Sequence, residues 1–266
     1  MEWCKKDPFG LKISEEMLYN WKDFCNIVIK KNRDIIHNNE FFELFDVIIK
    51  NIMKFNSDLI ITINSESEFF RARQLKDNFC PNVSEFAAPP IKFAKSNRMS
   101  AEGISVFYCS DDKNVSLNEV DKNNKYGFGL CTFLNSEKLT ILDLTSIDNI
   151  KFFDFFDKEN RKNNDAILFL KDLNRELTKE ITEPIYYIPT QIFATYVRNE
   201  LRNCNVQING IAYSSSKTNS IGKNYVLFYD HLETKNDKQY PNSFKMKGEK
   251  IEIFNNQKQL INTYTL

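Results

Sequence analysis

The sequence predicts an α+β fold in which a small helical unit precedes a mixed β-sheet core with flanking helices. Apolar residues recur at the helical period over residues 14–36, and residues 40–55 are apolar almost all round. From residue 57 onward, short apolar or β-branched runs alternate with polar turns rich in Asn and Lys, a pattern typical of strands. Strands and helices do not alternate strictly, which favours α+β over a doubly wound parallel sheet.

Two helices are predicted in the N-terminal unit. Ser14 is placed to cap the first helix. The apolar residues that form its buried face are Met17, Trp21, Phe24, Cys25, Val28 and Ile29. The second helix, over 40–55, is expected to be covered on several sides. We therefore divide the chain into a helical extension, residues 1–56, and a main domain, residues 57–266.

The main domain is predicted to contain strands, helices and two solvated loops. The strands are expected at residues 59–63, 69–74, 104–109, 139–144, 210–214, 224–229 and 251–254. The helices are expected near 116–123, 165–178 and 190–203, and the charge-rich loops at 154–164 and 233–250. No Gly-x-Gly-x-x-Gly follows a strand, so the dinucleotide-binding fold of dehydrogenases is not supported.

Composition argues against several classes of protein. Lys plus Arg and Asp plus Glu number 36 each, so no net charge attracts a polyanion and nucleic acid is not an expected partner. The six cysteines are scattered without a Cys-x-x-Cys pair or a nearby His, which predicts reduced thiols and no metal site. Charges interrupt every apolar run before the roughly 18 residues that span a bilayer, and the N-terminus lacks a secretory h-region. The sequence therefore predicts a soluble, cytoplasmic protein.

The arginines are more informative than the histidines. His37 and His231 lie away from any Ser or Cys in a hydrolase-like context, so histidine-based catalysis has little support. In the run at 69–74, Arg71 and Arg73 share one face of the predicted strand. Two converging guanidinium groups suit a pyrophosphate, because their forked donors match its oxygens. The alternative is an exposed strand face with ordinary surface arginines.

Residues 87–120 add further candidates in a fixed order. A basic turn that contains Arg98 precedes a strand ending in Tyr108, and a helix carries Glu119 eleven residues after that tyrosine. With Arg71 ahead of it, this pattern resembles the RES domain, a family of NAD-degrading toxins named for an Arg, a Glu and a Ser. The resemblance is to the longer form, which carries an N-terminal helical extension.

The turn and the second half of the chain extend the resemblance. Arg98 and Gly103 mark the family's turn, although Asn97 and Ser100 replace the Gly and Asn that usually flank the arginine. Asn adopts the left-handed turn conformation nearly as Gly does, but the contact that the family's Asn would make is not implied for this chain. The family's closing blocks follow at 187–191, 209–215 and 222–228, so the resemblance covers about residues 66–230.

The resemblance implies an ADP-ribosyltransferase-like fold, NAD as substrate and cleavage of the nicotinamide–ribose bond. Glu119 is then expected to stabilise the positive charge that spreads over the ribose. Arg71 is expected to grip the pyrophosphate or the incoming nucleophile. Tyr108 is expected to stack on the nicotinamide, because an aromatic face attracts a cationic ring.

The remaining site predictions depend on register. Ser215 matches the family's serine, but a slip of one residue would bring Ser214 or Ser216 into the site instead. Arg73 and Arg98 are secondary candidates for phosphate contact.

The acceptor of the ADP-ribose group stays open. Water would give ADP-ribose, and inorganic phosphate as co-substrate would give ADP-ribose 1″-phosphate. One alternative is an ADP-ribosyltransferase that modifies a protein or nucleic acid, and another is a non-catalytic binding module with a vestigial site. Because NAD loss harms a cell, the resemblance also implies an antitoxin or other inhibitor protein. The N-terminal helices would cover the site, form a homo-oligomer contact or sense a trigger.

Overall fold

A computed structural model describes residues 21–30, 45, 48–49, 59–77, 79–120, 125–154, 158–179, 183–199, 207–215, 222–235 and 243–266, with the backbone alone at 158, 159, 161 and 162. The helices within these residues are α1 (Trp21–Lys30), α2 (Lys113–Glu119), α3 (Lys158–Thr178), α4 (Ile188–Asn199) and α5 (His231–Thr234). The strands are β1 (Ile60–Ile63), β2 (Glu68–Gln74), β3 (Phe107–Ser110), β4 (Phe128–Asn135), β5 (Leu139–Asp143), β6 (Gly210–Ser214), β7 (Lys223–Leu227), β8 (Phe244–Phe254) and β9 (Leu260–Thr265).

The strands join into one mixed sheet. Their order is β1-β5-β6-β7-β3-β2-β4-β8-β9, and neighbours are antiparallel except for the parallel pair β5 and β6. A parallel pair needs a long crossover, and α3 and α4 lie in it. The mixed sheet with helices that do not alternate with strands confirms the predicted α+β class.

The sheet opens between β2 and β3. β2 pairs with β4 along its whole length, but it pairs with β3 only at Phe70 and Ser110. Beside that pair, the Ser116 hydroxyl of α2 accepts a hydrogen bond from the Ala72 N–H at 2.8 Å and donates one to the Phe70 carbonyl at 3.1 Å. The helix thereby satisfies backbone groups that a fully paired strand would use. A cavity lies at this opening.

Helix α1 packs into the same core as α3 and α4. The Phe24 ring lies 5.7 Å from the Phe169 ring of α3, edge to face, and the Trp21 ring lies 5.2 Å from it. Phe45, a helical residue, has its ring 5.7 Å from that of Phe193 on α4. The described N-terminal residues therefore complete the core of the main domain. The division at residue 56 stays a prediction.

The N-terminal helix predictions are confirmed where the structure describes them. α1 lies inside the first predicted helix, and residues 45, 48 and 49 of the second are helical and buried. The remaining residues of both predictions lie outside the described residues.

Replacing Phe24 with alanine should lower the free energy of unfolding by about 3–5 kcal/mol, the usual cost of deleting a fully buried phenyl ring. Because α1 shares the main core, the urea midpoint should fall equally by circular dichroism and by Trp21 fluorescence in a Trp3→Phe background. Phe93→Ala is the control, since Phe93 is 64% exposed. A shift confined to the fluorescence transition would contradict the shared core.

The two predicted loops are wrong in part. The stretch 154–164 contains the start of α3 at Lys158, and the stretch 233–250 contains the end of α5 and the first half of β8. In β8, Phe244 and Met246 are buried while the lysines between and after them are exposed. Apolar and charged residues therefore alternate as in a strand, but the many charges made the segment resemble a loop. Residues 236–242 of the second stretch lie outside the described residues.

All seven predicted strands and the three predicted helices of the main domain are present, but β4 and β9 were not predicted. β4 contains Gly129 and Asn135, which weaken a strand pattern. Both have packing reasons: a Cβ at Gly129 would lie 2.5 Å from the Phe86 ring, and the Asn135 side chain accepts a hydrogen bond from the Ser67 N–H at 2.8 Å. β9 is exposed along its whole length, so its sequence lacks the alternation of apolar and polar residues that predicts a strand with one buried face.

Candidate active site

A cavity of about 360 Å³ lies where β2 and β3 separate. Its volume is within the range of about 300–1,000 Å³ common for small-molecule pockets. Its lining residues are Arg71, Ala72, Asn97, Arg98, Tyr108, Cys109, Ser110, Ser116, Glu119, Val120, Tyr187, Tyr213 and Asn224. The fold thus brings the predicted residues Arg71, Arg98, Tyr108 and Glu119 to one cavity.

Arg71 projects from β2 into this cavity as a partly exposed cation. Its Nη1 donates a hydrogen bond to the Tyr108 carbonyl at 3.0 Å, and its guanidinium carbon lies 5.0 Å from the centre of the Phe107 ring. Burial, followed by the nearby charge of Arg73, lowers the pKa of Arg71 to about 10, so the group is charged at neutral pH. Among the described residues no carboxylate forms an ion pair with it. A desolvated guanidinium of this kind favours an anionic ligand.

Glu119 is the last residue of α2, the short helix that covers the opening in the sheet. The Asp112 side chain caps this helix by accepting a hydrogen bond from the Val115 N–H, and Ser116 fixes the helix to β2. The Glu119 Oε1 accepts hydrogen bonds at 2.6 Å from the Ser215 hydroxyl and at 2.6 Å from the Asn224 amide. Both donors are neutral, so these bonds orient the carboxylate without cancelling its charge.

Ser215 is the serine that the structure brings to the predicted glutamate. It follows directly after β6 and reaches Glu119, 96 positions earlier in the chain. Ser214 lies within β6 and pairs with Lys223 of β7. Ser216 lies outside the described residues.

Tyr108 joins the cavity wall to the turn that precedes it in the chain. Its hydroxyl accepts a hydrogen bond from the Met99 N–H at 3.1 Å and lies 3.3 Å from the Ser100 hydroxyl. Burial raises the pKa of Tyr108, which keeps the phenol neutral. The Gln191 amide of α4 donates to the Asn97 and Ser100 carbonyls at 2.7 and 3.1 Å. The turn is therefore held from two sides.

The secondary candidates are separated by the fold. Arg98 lines the cavity, and its Nη1 donates to the Leu177 carbonyl at 2.5 Å at the C-terminus of α3, where a cation suits the helix dipole. Arg73 does not line this cavity. It borders a neighbouring cleft of about 890 Å³, and its guanidinium donates to the Glu85 carbonyl. The structure therefore does not bring Arg73 and Arg71 to one cavity as predicted.

Comparison of the sequence with protein families gives a match to one of them. A sequence profile of the RES domain matches residues 69–245, well over half of the chain. The chain belongs to the RES domain family. This confirms the resemblance, and the matched span of the RES domain contains Arg71, Glu119 and Ser215. A search of curated proteins gives no match. Membership of the family is consistent with an NAD-related enzyme of a toxin–antitoxin system.

Sequence reasoning missed several residues of the RES domain cavity. Asn224 and Ser110 are buried polar residues joined by a hydrogen bond of 2.7 Å, and the Asn224 amide also donates a hydrogen bond to Glu119. Tyr187 and Tyr213 add aromatic surface to the wall, and burial raises the pKa of Tyr213 well above its usual value. Asn224 and both tyrosines lie inside the closing blocks. The pairing of β3, β6 and β7 places Asn224 and Tyr213 at the cavity, whereas Tyr187 reaches it from the turn that precedes α4.

Other chemistries find little support in the described part of the RES domain. No three His, Cys, Asp or Glu side chains there are grouped to hold a metal ion. Cys25, Cys80, Cys109 and Cys131 are free thiols, and burial raises the pKa of Cys109 well above its ordinary value, so this cavity thiol is not a ready nucleophile. No helix within the described ranges has the length and apolar character needed to cross a membrane.

Proposed function

We propose that this RES domain cleaves NAD at the bond between nicotinamide and ribose. The proposal is carried by one observation: the cavity holds both the Glu119 carboxylate, fixed by two neutral donors, and the desolvated Arg71 guanidinium. NAD presents a ribose carbon that becomes positive close to an anionic pyrophosphate, which is the complementary arrangement. Family membership supports the same substrate.

In the proposed reaction the bond from C1′ of the ribose to the nicotinamide nitrogen breaks. Its electron pair leaves with the nitrogen, so nicotinamide departs as a neutral molecule. Positive charge spreads over C1′ and the ring oxygen in an oxocarbenium-like transition state. Glu119 stabilises that charge, and because Ser215 and Asn224 already orient its carboxylate, little reorganisation is needed. Glu119 also accepts a hydrogen bond from a ribose hydroxyl in this proposal.

The other cavity residues bind the rest of the substrate. Arg71 contacts a phosphate oxygen, because an anion relieves the desolvation of its charge. Arg98, at the same cavity, is a second phosphate contact. The rings of Tyr108 and Tyr213 line the wall and offer faces for the cationic nicotinamide.

The acceptor completes the reaction. When water attacks C1′ and loses a proton, the product is ADP-ribose, and when phosphate attacks, the product is ADP-ribose 1″-phosphate. Unrestrained turnover depletes cellular NAD, so we propose a toxin or defence effector held in check by an antitoxin or other inhibitor protein.

Incubation of the purified chain with adenine-labelled NAD, with and without inorganic phosphate, tests the proposal. We expect equal amounts of nicotinamide and a labelled small product, identified by mass. A Glu119→Gln sample is the matched control and should form both far more slowly. Label on macromolecules supports the ADP-ribosyltransferase alternative. Intact NAD in the wild-type sample would overturn the proposal and favour the binding module.

A further inference from the structure

We infer that Asn224 is a positioning residue that holds the Glu119 carboxylate in its working orientation, with Ser110 fixing the Asn224 amide. The inference rests on the proposed cleavage of NAD. Asn224 lies on β7, Glu119 on α2 and Ser110 on β3. The ladder pairs Asn224 with Ser110, and α2 ends with Glu119 within hydrogen-bond distance of Asn224.

Two hydrogen bonds form a directed relay. The Ser110 hydroxyl donates to Asn224 Oδ1 at 2.7 Å, and Asn224 Nδ2 donates to Glu119 Oε1 at 2.6 Å. Asn224 is 3% exposed and Ser110 is 2% exposed, so water has little access to either side chain. An amide rotated by half a turn would place its carbonyl oxygen against the carboxylate. The carboxylate, which only accepts hydrogen bonds, opposes that rotation, and the Ser110 hydroxyl supplies the donor for Asn224 Oδ1.

The relay restricts a rotation that is otherwise soft. The terminal torsion of a glutamate side chain is broad, so a carboxylate at a helix end has no single preferred plane. Here Asn224 and Ser215 donate to the same oxygen, Oε1, from β7 and from the end of β6. Donors on two strands hold the group more narrowly than either alone. The reaction becomes slower when a group that must face a developing charge is displaced by even about 1 Å.

The sheet does not need the Asn224 side chain. β7 pairs with β3 and β6 through backbone groups over Lys223–Leu227, so a change at position 224 leaves that ladder available. The side chain lies on the cavity wall beside Glu119. Asn209 is a matched control: its side chain also accepts one bond, from the Thr140 N–H at 2.8 Å, and donates one, to the Tyr229 hydroxyl at 2.9 Å. It does not line the cavity.

Steady-state NAD cleavage by variants whose folded fraction is checked by circular dichroism tests the inference. We expect Asn224→Ala to lower kcat by about 10–100-fold, while KM for NAD changes by less than about three-fold. Asn224→Asp keeps the volume but turns a carboxylate toward Oε1, so its kcat should be lower still. Ser110→Ala should lower kcat less, in the same direction. Asn209→Ala should keep the wild-type kcat.

The Glu119→Gln background separates positioning from a general effect on the fold. A residue that acts through the carboxylate adds no further loss once that carboxylate is gone. Equal losses in both backgrounds, or a more active Asn224→Asp than Asn224→Ala, would overturn the inference. If the wild type cleaves NAD and Asn224→Ala matches its kcat, the inference fails and the proposed function stands. If the wild type leaves NAD intact, both fail.

Discussion

Replacing Glu119 with glutamine should lower kcat for NAD cleavage by about 10²–10³-fold, the scale seen when one preorganised contact to a transition state is removed. Glutamine has the same length, and its Oε1 still accepts hydrogen bonds from Ser215 and Asn224. The substitution therefore removes charge with little change of shape. Because the charge on the ribose develops only as the bond breaks, KM should change far less than kcat. Nicotinamide release at saturating NAD measures the effect.

The control for this substitution is Glu68→Gln. Glu68 lies on β2, as Arg71 does, but it is exposed and paired with Lys247 at the far end of the strand. Its kcat should equal that of the wild type. A Glu119→Gln enzyme that keeps kcat within about three-fold of wild type would contradict a transition-state role. In cells, unchanged growth and NAD levels on Glu119→Gln substitution are what the vestigial binding module predicts.

The part of the site that local spacing could predict is the unit formed by β3 and α2. Tyr108 lies in β3, Asp112 caps α2, and Glu119 is the last residue of that helix of two turns. These positions are linked by strand and helix geometry over a dozen residues, so spacing alone constrains where they lie. The structure places Tyr108 and Glu119 on the same cavity.

Local spacing could not predict the contacts that residues on distant strands make with Glu119. Ser215 and Asn224 meet Glu119 across 96 and 105 positions, and nothing in their own neighbourhoods shows that β7 lies between β6 and β3. The serine was found through the resemblance, which supplies register. Asn224 lay in a quoted block but had no assigned role, and a buried amide looks like any polar residue in a sequence.

Arg73 and Arg71 share a face of β2 as predicted, but they do not line the same cavity. Residues two apart on a strand do share a face. Here, however, β2 and β3 pair only at Phe70 and Ser110, and the opening lies beside Arg71. Arg73 instead meets the segment that contains Glu85, and the two arginines line different cavities. Whether neighbouring strands stay paired depends on the whole sheet and on Ser116 of α2, which no strand pattern contains.

Replacing Arg71 with methionine is expected to separate activity from stability. Burial lowers the pKa of Arg71 to about 10, which means that the fold disfavours its charged form relative to water. Methionine is apolar and of similar reach, so the urea midpoint should stay the same or rise. The value of kcat/KM for NAD should fall by about 10–100-fold, corresponding to a charged hydrogen bond of about 1.5–3 kcal/mol. Arg71→Lys keeps the charge but lacks the forked donors of the guanidinium, so its kcat/KM should lie between those of the wild type and Arg71→Met.

Arg73→Ala is the control on the same strand and should change kcat/KM by less than about three-fold. A fall in the urea midpoint of Arg71→Met that accounts for its lost activity would contradict the separation. Pyrophosphate supplies a further test, because a ligand that binds only the folded state stabilises it. It should raise the urea midpoint of the wild type and not that of Arg71→Met. No described carboxylate forms an ion pair with Arg71, so an anion that binds beside it offsets the cost of burying its charge.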